Sequence, residues 1–255
     1  MDLRLPIVDL DRYKSASQRA RVGTESWGTH NFFCPACDSP RLQATPQGTA
    51  AIDYTCPACQ SPFQLKSQSK AFGRRVLDAA YSEMKRSILE DQTPNLYIMH
   101  YDLDAWAVQT LILIPRFAFA LSAIERRKPL AATARRAGWV GCNIVLDRIP
   151  AIARIPIVQD GRVWPRPAVR EAYRRLRPLE SLRVEKRGWT LDVLKVVQSL
   201  RKEEFLLSDV YAHAGALSKL HPENRHVLPK IRQQLQVLRD LGHLEFVDRG
   251  RYRVV

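Results

Sequence analysis

The chain has 255 residues, 45% of them hydrophobic, and its 40 Lys and Arg against 26 Asp and Glu give a formal net charge of +14. This length is enough for one large or two ordinary domains with packed cores. Without an apolar run of about 18 residues or a secretory leader, the sequence argues against a membrane-spanning or secreted protein, and we expect a soluble, cytoplasmic one. The excess of positive charge indicates a polyanionic partner.

The excess charge lies in the second half of the chain. Residues 116–186 contain 16 Lys and Arg against 6 Asp and Glu, and residues 187–255 contain 12 against 8. Residues 1–115 are therefore neutral overall. This distribution favours an N-terminal catalytic region followed by a DNA-binding region. Binding to ribosomes or to a membrane surface would give a similar charge distribution.

Two cysteine pairs follow a helix predicted over residues 11–28. Cys34 and Cys37 are two residues apart, as are Cys56 and Cys59, and 18 residues separate the pairs. This spacing is typical of a zinc ribbon, here residues 34–59, in which four sulfurs surround a structural Zn²⁺. A disulfide pair or chance spacing are the alternatives, and disulfides are unusual in a chain without a secretion signal.

A polar pattern surrounds the second cysteine pair. Asp53 precedes the pair in AIDYT, and Gln64, Leu65 and Lys66 follow it in PFQLK, so the two segments predict a β-hairpin. Alternation along a strand puts Gln64 and Lys66 on one face and turns Leu65 toward the core. Asp53 and Gln64 can offer oxygens to Mg²⁺, with the Leu65 carbonyl as a further ligand, and Lys66 can orient or deprotonate a water. The spacing alone is a weak signal, because any hairpin with outward polar residues shows it.

The middle of the chain predicts mixed α/β structure. Residues 69–91 predict an amphipathic helix, because apolar residues recur at helical spacing from Val76 to Met84. Residues 96–103 and 107–115 predict two strands of a central sheet, and residues 153–163 predict a further strand that ends in a turn.

The segment 125–148 predicts a basic loop. Small residues let the backbone approach phosphate closely, and guanidinium groups bind phosphate in a bidentate manner. A tryptophan on such a loop can pack against a base or a methyl group, unless it is simply buried. The candidate DNA-binding residues are Arg126, Arg127, Lys128, Arg135, Arg136 and Trp139.

Two further features belong to this region. Cys142, which neither cysteine pair uses, predicts a small buried residue. The arginine- and proline-rich segment 164–188 predicts a connecting arm close to phosphates, with a short helix at 168–176.

The C-terminal residues 186–255 predict a winged helix. Helices are expected at 189–200, with Thr190 as a possible cap, at 205–217, with Ser208 as a possible cap, and at 223–242. Pro229 allows the third helix to begin instead near Leu228.

The third helix of a winged helix belongs in the major groove, and the basic hairpin after it suits phosphate or the minor groove. Use of the winged helix for protein contacts is the alternative. The candidate DNA-binding residues are Arg225, His226, Lys230, Arg232, Gln233 and Gln236 on the helix and Arg249, Arg251 and Arg253 on the wing.

Several segments together resemble a known family. They are Tyr13-Lys14-Ser15 with SQRARVGTESW (17–27), the two CPAC knuckles, Asp53 with F-x-LKS, RKPLAATARRAGWVGCNI (127–144), VQDGRV (158–163), RGWT (187–190) and KIRQQLQVLRD (230–240). In this order they resemble the DpnI-like, dam-replacing family of methyl-directed (type IIM) restriction endonucleases, within the PD-(D/E)xK nuclease superfamily.

The resemblance implies a Mg²⁺-dependent nuclease whose target is GATC with N6-methyladenine. It also implies that an acid on the first helix, here Glu25, supports the active-site metal, although an exposed glutamate without a role fits the pattern equally well. The family pattern has Glu where this chain has Gln64. A neutral amide offers one oxygen and no charge, so the affinity for metal should fall.

We therefore expect an α/β PD-(D/E)xK nuclease core with an embedded four-cysteine zinc ribbon at residues 1–185, and a winged-helix DNA-binding domain at residues 186–255. The expected protein is a monomeric endonuclease of double-stranded DNA with methylated adenine, which uses Asp53, Gln64 and Lys66 for catalysis. A catalytically lapsed methyl-DNA-binding protein and a zinc-ribbon winged-helix transcription regulator are the alternatives. Retention of both Asp53 and Lys66 argues against loss of activity.

Overall fold

The computed structural model describes residues 1–7, 12–46, 48–49 and 51–255. These residues group by their contacts into two compact units. Unit 1 comprises Met1–Val76, Gln92–Arg116 and Ile152–Leu176, and unit 2 comprises Leu77–Asp91, Phe117–Ala151 and Arg177–Val255. This grouping places residues 77–91 and 117–151 with the C-terminal helices, and the domain boundary expected at residue 185 stays a prediction.

The helices and strands carry the following bounds within the described residues. The strands in chain order are β1 (Gln43–Ala44), β2 (Tyr54–Thr55), β3 (Pro62–Gln68), β4 (Arg75–Ala80), β5 (Asn95–Asp102), β6 (Ala107–Ile114), β7 (Ile124–Arg126), β8 (Gly141–Val145), β9 (Ile155–Gln159), β10 (Arg162–Val163), β11 (Glu204–Leu206), β12 (Leu244–Asp248) and β13 (Arg251–Val254). The α-helices are α1 (Ala16–Asn31), α2 (Tyr81–Leu89), α3 (Arg166–Leu176), α4 (Val184–Ser199), α5 (Leu207–Tyr211), α6 (Ala214–Leu220) and α7 (Val227–Asp240).

The sheet of unit 1 has the strand order β1-β2-β3-β5-β6-β9-β10. Its neighbouring strands run antiparallel except for β3 and β5, which run parallel from the pair Phe63–Asn95 to the pair Gln68–His100. Residues Asn95–Met99 of β5 are all buried, as expected for a strand covered on both faces. The strands predicted over 96–103, 107–115 and 153–163 are confirmed as β5, β6 and β9.

The helix α1 begins later than predicted. Ser15 caps it by accepting a hydrogen bond from the N–H of Gln18 at 3.1 Å, and the helix runs to Asn31. Serine at this position satisfies a backbone donor that has no partner within the helix. Of the start predicted at residue 11, Asp11 itself lies outside the described residues.

The helix predicted over residues 69–91 is wrong in its first half. Arg75–Ala80 form strand β4, and helix α2 begins only at Tyr81. β4 joins the sheet β4-β8-β7 of unit 2, so pairing with a strand more than 60 positions away overrides the local periodicity.

The C-terminal part of unit 2 has the element order of a winged helix. Helices α4 to α7 are followed by the hairpin of β12 and β13, which pairs with β11 in the order β11-β13-β12. Its core contains buried side chains of helices α4 to α7 and of the sheet, namely Trp189, Val193, Leu194, Val197, Phe205, Val210, Leu217, Ile231, Leu235, Leu238, Leu244 and Tyr252. The expectation of three helices and a hairpin is therefore confirmed in outline.

Several predicted details in this region are wrong. Phe205 lies in β11, and the second helix is split into α5 and α6. Thr190 does not cap a helix, because it lies inside α4, where its hydroxyl donates to the Gln234 side chain at 2.8 Å. Asp209, not Ser208, caps the start of α5 by accepting from the N–H of Leu206 at 2.9 Å. The third helix begins at Val227, which confirms the later of the two predicted starts.

No helix in the part of the chain that the structure describes is both long enough and apolar enough to cross a membrane.

Candidate active site and metal centre

The second CPAC knuckle lies between two paired strands of unit 1. β2 and β3 run antiparallel with Tyr54 opposite Phe63 and Thr55 opposite Pro62. The predicted hairpin is thus present, although its first strand is only two residues long and Asp53 lies just before it. The hairpin rests on aromatic side chains, since Phe63 and Phe32 both stack on Tyr97, with ring centroids 5.6 and 4.1 Å apart.

Asp53 is held in place by three hydrogen bonds. Its N–H donates to Phe63 O at 2.8 Å, and its carbonyl accepts from the N–H of Thr45 at 3.0 Å. Its carboxylate Oδ2 accepts from the N–H of Leu65 at 2.7 Å. The other oxygen, Oδ1, accepts no hydrogen bond from the described residues. This side chain therefore points at β3 and keeps one oxygen for a cation.

Strand β3 carries the other predicted site residues. Phe63 is fully buried, whereas Gln64 and Lys66 are half-buried on the opposite face of the strand. The Gln64 side chain makes no hydrogen bond to the described residues, so its amide oxygen is available to bind a cation. Leu65 is also half-buried and is less enclosed than predicted. The structure thus brings Asp53 onto the strand that bears Gln64, Leu65 and Lys66.

Glu25 is a second carboxylate near Asp53. Burial raises the pKa of Glu25, Arg21 lowers it, and the negative charge of Asp53 raises it further. Arg21 Nε lies 4.0 Å from Glu25 Oε1. Helix α1 is joined to the hairpin by the Tyr54 hydroxyl, which donates to Glu25 O at 2.6 Å, and by the Thr24–Ser67 hydroxyl pair at 3.0 Å. The carboxylate is therefore close enough to Asp53 for the two charges to repel.

A glycine allows α1 and β2 to approach each other. A Cβ added at Gly28 would lie 2.4 Å from Tyr54 Oη and 2.6 Å from Phe32 Cε2. Contacts this short cannot form, so any side chain at Gly28 must displace Tyr54, the residue that follows Asp53.

Gly28→Ala is therefore expected to destabilise the protein by about 1–3 kcal/mol, the usual range for overpacking a core. Thermal or urea unfolding followed by circular dichroism measures the change. Gly188→Ala in α4 is the matched control, because its nearest neighbour, Ala120 Cβ, would be 3.8 Å away. Alanine at that helical position should stabilise by roughly 0.5–1 kcal/mol, and an equal loss of stability in both variants would contradict the steric argument.

The four paired cysteines form one cluster. Their sulfurs all lie within 4.8 Å of one another, with Cys34 Sγ to Cys59 Sγ at 3.6 Å and Cys37 Sγ to Cys56 Sγ at 3.5 Å. Four sulfurs around tetrahedral Zn²⁺ are about 3.8 Å apart, whereas a disulfide needs about 2.05 Å. The cysteines are free thiols in the structure, and their arrangement fits Zn²⁺. The separations of 3.5 and 3.6 Å between sulfurs favour a metal cluster over the disulfide alternative.

Backbone hydrogen bonds shape both knuckles. The N–H of Cys34 donates to Ser39 O at 3.2 Å, and the N–H of Cys56 donates to Ser61 O at 3.0 Å. Burial opposes ionisation of the Cys56 thiol, but hydrogen bonds from the backbone N–H groups of Cys59 and Ala58 outweigh it and lower its pKa to about 6. Cys56 therefore favours the thiolate, which is the form that binds a metal.

Two arginines of α3 contact the segment around the first cysteine pair, which the sequence did not predict. Arg170 Nε donates to Cys34 O at 3.2 Å, and its Nη2 donates to Ser39 O at 3.2 Å. Arg166 places its guanidinium carbon 5.0 Å from the centroid of the Phe33 ring. The sequence predicted this arm close to phosphates, but these two side chains bind within unit 1. No local signal could have shown this, because the partners lie more than 125 positions away.

The basic loop of unit 2 connects the antiparallel strands β7 and β8, and backbone hydrogen bonds continue this hairpin into the loop. The N–H of Arg127 donates to Gly141 O at 3.0 Å, and the N–H of Leu130 donates to Trp139 O at 2.9 Å. Trp139 is half-buried, so it is not the fully buried residue of the alternative interpretation. The Arg136 guanidinium carbon lies 4.8 Å from the centroid of the Trp139 ring.

Glycine has a structural role in this loop. A Cβ added at Gly141 would lie 2.8 Å from the Trp139 ring, so glycine is required for the ring to fold back against the backbone. The remaining predicted residues of the loop, Arg126, Lys128 and Arg135, lie on the same segment. Lys128, Arg135 and Arg126 are exposed, and Arg127 is half-buried.

Most of the DNA-binding side chains predicted on α7 and in the turn before it are exposed. Arg232, Gln233 and Gln236 on α7 are exposed, and Lys230 is half-buried. Arg225 and His226 are exposed in the turn that precedes α7. On the wing, Arg249 and Arg251 are exposed, but Arg253 binds Glu204 at 2.7 Å and Glu245 at 3.4 Å. The charge of Arg253 is thus neutralised within the sheet.

The Mg²⁺ site predicted from the sequence needs oxygen ligands that lie close together. Among the described residues, the group of three or more His, Cys, Asp and Glu side chains that could hold a metal is the cysteine cluster. A Mg²⁺ ion at the hairpin would therefore be held by Asp53 with neutral oxygens from Gln64 and Leu65, and Glu25 is the further carboxylate near Asp53. These oxygens are of the hard type that Mg²⁺ prefers, so the donors fit the ion, although with little negative charge.

Two protein-family models match this chain. The description "DpnI: Dam-replacing family" matches residues 1–182. The description "DpnI_C: Dam-replacing HTH domain" matches residues 185–254. The first match includes the cysteine cluster and the hairpin, and the second includes helices α5 to α7 and the wing.

Proposed function

The chain belongs to the Dam-replacing family, and from this premise we propose that it is a Mg²⁺-dependent restriction endonuclease for double-stranded DNA. Its target would be GATC that carries N6-methyladenine, and it would act as a cytoplasmic monomer. The observation that carries the proposal is the position of Asp53, whose carboxylate is bound to β3 beside Gln64 and Lys66. A helix-turn-helix domain in the same chain supplies a DNA-binding element.

The proposed active site is of the PD-(D/E)xK type. Asp53, the Gln64 amide oxygen and the Leu65 carbonyl would hold Mg²⁺, which supplies stabilisation of the negative charge that develops on the scissile phosphate. Lys66 orients the attacking water and assists its deprotonation. Glu25 is a further carboxylate that can support a cation at this site, because it already interacts with Asp53.

The cysteine cluster has a different role in this proposal. Cys34, Cys37, Cys56 and Cys59 hold Zn²⁺, and four sulfur ligands leave no position for water or substrate. The ion therefore contributes to the stability of the hairpin and takes no part in the chemistry. Asp53 and Gln64 lie on either side of the second knuckle, so a rigid knuckle keeps their spacing.

The proposed DNA contacts come from unit 2. Arg126, Arg127, Lys128, Arg135 and Arg136 would bind phosphate around Trp139, and the exposed side chains of α7 would reach base edges in the major groove. Gln233 and Gln236 suit adenine, whereas Arg225, His226, Lys230 and Arg232 suit guanine or phosphate. Arg249 and Arg251 would contact the backbone from the wing.

A protein that binds methylated DNA without cutting it is the second candidate function. It is favoured by Gln64, which removes one charge from the site, and by the lack of a carboxylate cluster among the described residues. Retention of Asp53 and Lys66 beside Gln64 favours the nuclease.

A cleavage assay on one plasmid distinguishes the two functions. The plasmid is prepared with and without adenine methylation at GATC, and each form is incubated with the protein and Mg²⁺ or with EDTA. Discrete fragments from the methylated form alone, only with Mg²⁺, support the proposal. Methyl-dependent gel shifts without cutting support the binding protein, and cutting of both forms removes the proposed methyl specificity.

Gln64→Glu is expected to strengthen Mg²⁺ binding, because a carboxylate replaces a neutral amide. The Mg²⁺ concentration for half-maximal cleavage should fall about tenfold, equivalent to ~1.4 kcal/mol. Gln68→Glu is the matched control, since it adds the same charge to the same face of β3 about 13 Å further along the strand. An unchanged Mg²⁺ requirement in Gln64→Glu would argue that Gln64 is not a metal ligand.

A further inference from the structure

The two proposed DNA-binding elements of unit 2 are joined at one buried carboxylate. Asp192 of α4 is only 3% exposed, and both of its oxygens are hydrogen bonded. Ser122 Oγ donates to Asp192 Oδ1 at 2.6 Å, and His221 Nε2 lies 2.8 Å from Asp192 Oδ2. Such a group is retained in a protein interior only when partners compensate its lost hydration.

Ser122 lies at the base of the basic loop. It belongs to the 3₁₀ turn Leu121–Ala123, which leads directly into β7, and β7 ends at Arg126, where the loop begins. Arg148 strengthens this base, because its Nη1 donates to Ser122 O at 3.2 Å and its Nη2 donates to Glu125 Oε1 at 2.8 Å. A shift of Ser122 would therefore be passed to the start of the loop.

His221 lies at the base of the recognition helix. It ends α6, stacks on Trp189 with ring centroids 3.9 Å apart, and accepts a hydrogen bond from the N–H of Asn224 at 3.0 Å. The Asn224 side chain accepts from the N–H of His226, the cap of α7, at 2.8 Å. A chain of contacts thus runs from Asp192 to the N-terminal end of α7, the end that would face DNA bases.

Apolar packing between these segments is incomplete. A cavity of about 330 Å³ lies here, and its lining includes Leu121, Ser122, Gly188, Asp192, Leu220 and His221. Asp192 lies in the wall of this cavity, and its hydrogen bonds connect Ser122 to His221.

We propose that Asp192 is a positioning residue that holds the basic loop and helix α7 in one fixed geometry, so that duplex DNA is contacted by both elements at once. This inference rests on the proposed function, because it assumes that both elements bind DNA. When two contacts lie on one rigid body, formation of the first raises the effective concentration of the second and strengthens binding overall. Loosening either base lowers this gain without removing any DNA-contacting side chain.

The test measures binding of a duplex with one adenine-methylated GATC site by fluorescence anisotropy, in EDTA to prevent cleavage. Asp192→Ala should raise the Kd at least about tenfold, because the advantage of two linked contacts is lost. Asp192→Asn, which can still accept from one partner and donate to the other, should stay within about threefold of the wild type. Circular dichroism confirms that each variant is folded.

A thermodynamic cycle separates positioning from a general loss of stability. Ser122→Ala should weaken binding about threefold or more in the wild type but have no further effect in Asp192→Ala, because the partner is already missing. Asp209→Ala is the matched control, since it removes another hydrogen-bonded carboxylate of unit 2, which binds Leu206 N and Lys202 Nζ. Its Kd should stay within about threefold of the wild type, because it lies outside this network.

The DNA affinities of the variants decide whether Asp192 is a positioning residue. If folded Asp192→Ala binds as tightly as the wild type, or if Asp209→Ala weakens binding equally, the inference is rejected. If Asp192→Ala does not fold, Ser122→Ala alone decides, and wild-type affinity in that variant rejects the inference. A wild-type protein that binds no duplex DNA rejects the proposed function itself.

Discussion

Replacement of Lys66 by alanine is expected to reduce DNA cleavage by at least about 10³-fold, within the range for loss of a general acid–base group. Lys66 lies on β3, two residues after Gln64 and one after Leu65, whose N–H binds Asp53. An ammonium group at that position can hold and polarise the attacking water, and alanine leaves the water without this partner. Single-turnover cleavage of methylated plasmid at saturating protein measures the chemical step.

The binding of DNA should survive this substitution, because the proposed DNA contacts lie in unit 2. Lys70→Ala is the matched control, since Lys70 is exposed just beyond β3 and its loss removes the same charge. We expect Lys70→Ala to cleave at close to the wild-type rate. Equal cleavage by Lys66→Ala and the wild type would remove Lys66 from the mechanism, and equal loss in both variants would point to non-specific electrostatics.

Replacement of Cys56 by serine is expected to unfold the hairpin and abolish cleavage together. Zn²⁺ binding to a structural site contributes of order 10–16 kcal/mol in small zinc domains, which is more than the stability of most folded domains. Cys56 is fully buried, and its sulfur lies 3.5 Å from that of Cys37, so serine removes one ligand from the centre of the cluster. Metal analysis of the purified variant should show no zinc, whereas we expect about one Zn²⁺ per chain in the wild type.

Cys142→Ala is the matched control for this experiment. Cys142 is also fully buried, but it lies in β8 of unit 2 and is not part of the cluster. The variant should keep its zinc and its cleavage activity, with a stability loss of about 1 kcal/mol from the small cavity. Zinc-free wild-type protein that cuts methylated DNA would refute the assignment of the zinc ribbon.

Local sequence signals were reliable where a few neighbouring residues decide the structure. The two CPAC knuckles predicted a four-cysteine cluster, and the structure brings the sulfurs within 4.8 Å. The alternating segments on either side of the second knuckle predicted the hairpin that places Asp53 against Leu65. The apolar runs at 96–103 and 107–115 correspond to β5 and β6. A long run of apolar residues is enough to predict a buried strand.

Predictions from local sequence were wrong where contacts with residues distant in the sequence determine the structure. Val76 to Ala80 have helical spacing, yet they form a strand because β8 supplies a partner. Thr190 resembles a helix cap, but α4 extends six residues further toward the N-terminus and buries Thr190 against Gln234. Arg170 belongs to the arm predicted to lie close to phosphates, but its side chain donates hydrogen bonds to the Cys34 and Ser39 carbonyls of the first knuckle.

The sequence by itself determined the cysteine cluster, the order of the helices and strands around the candidate site, and the resemblance that identifies the family. These features depend on ligand spacing and strand periodicity, which act over about twenty residues or fewer. Only the tertiary structure decided that Glu25 lies near Asp53, that Arg170 binds the first knuckle, and that Asp192 joins Ser122 to His221. These contacts join residues 28 to 136 positions apart, and close packing of buried side chains, which no local pattern records, brings them together.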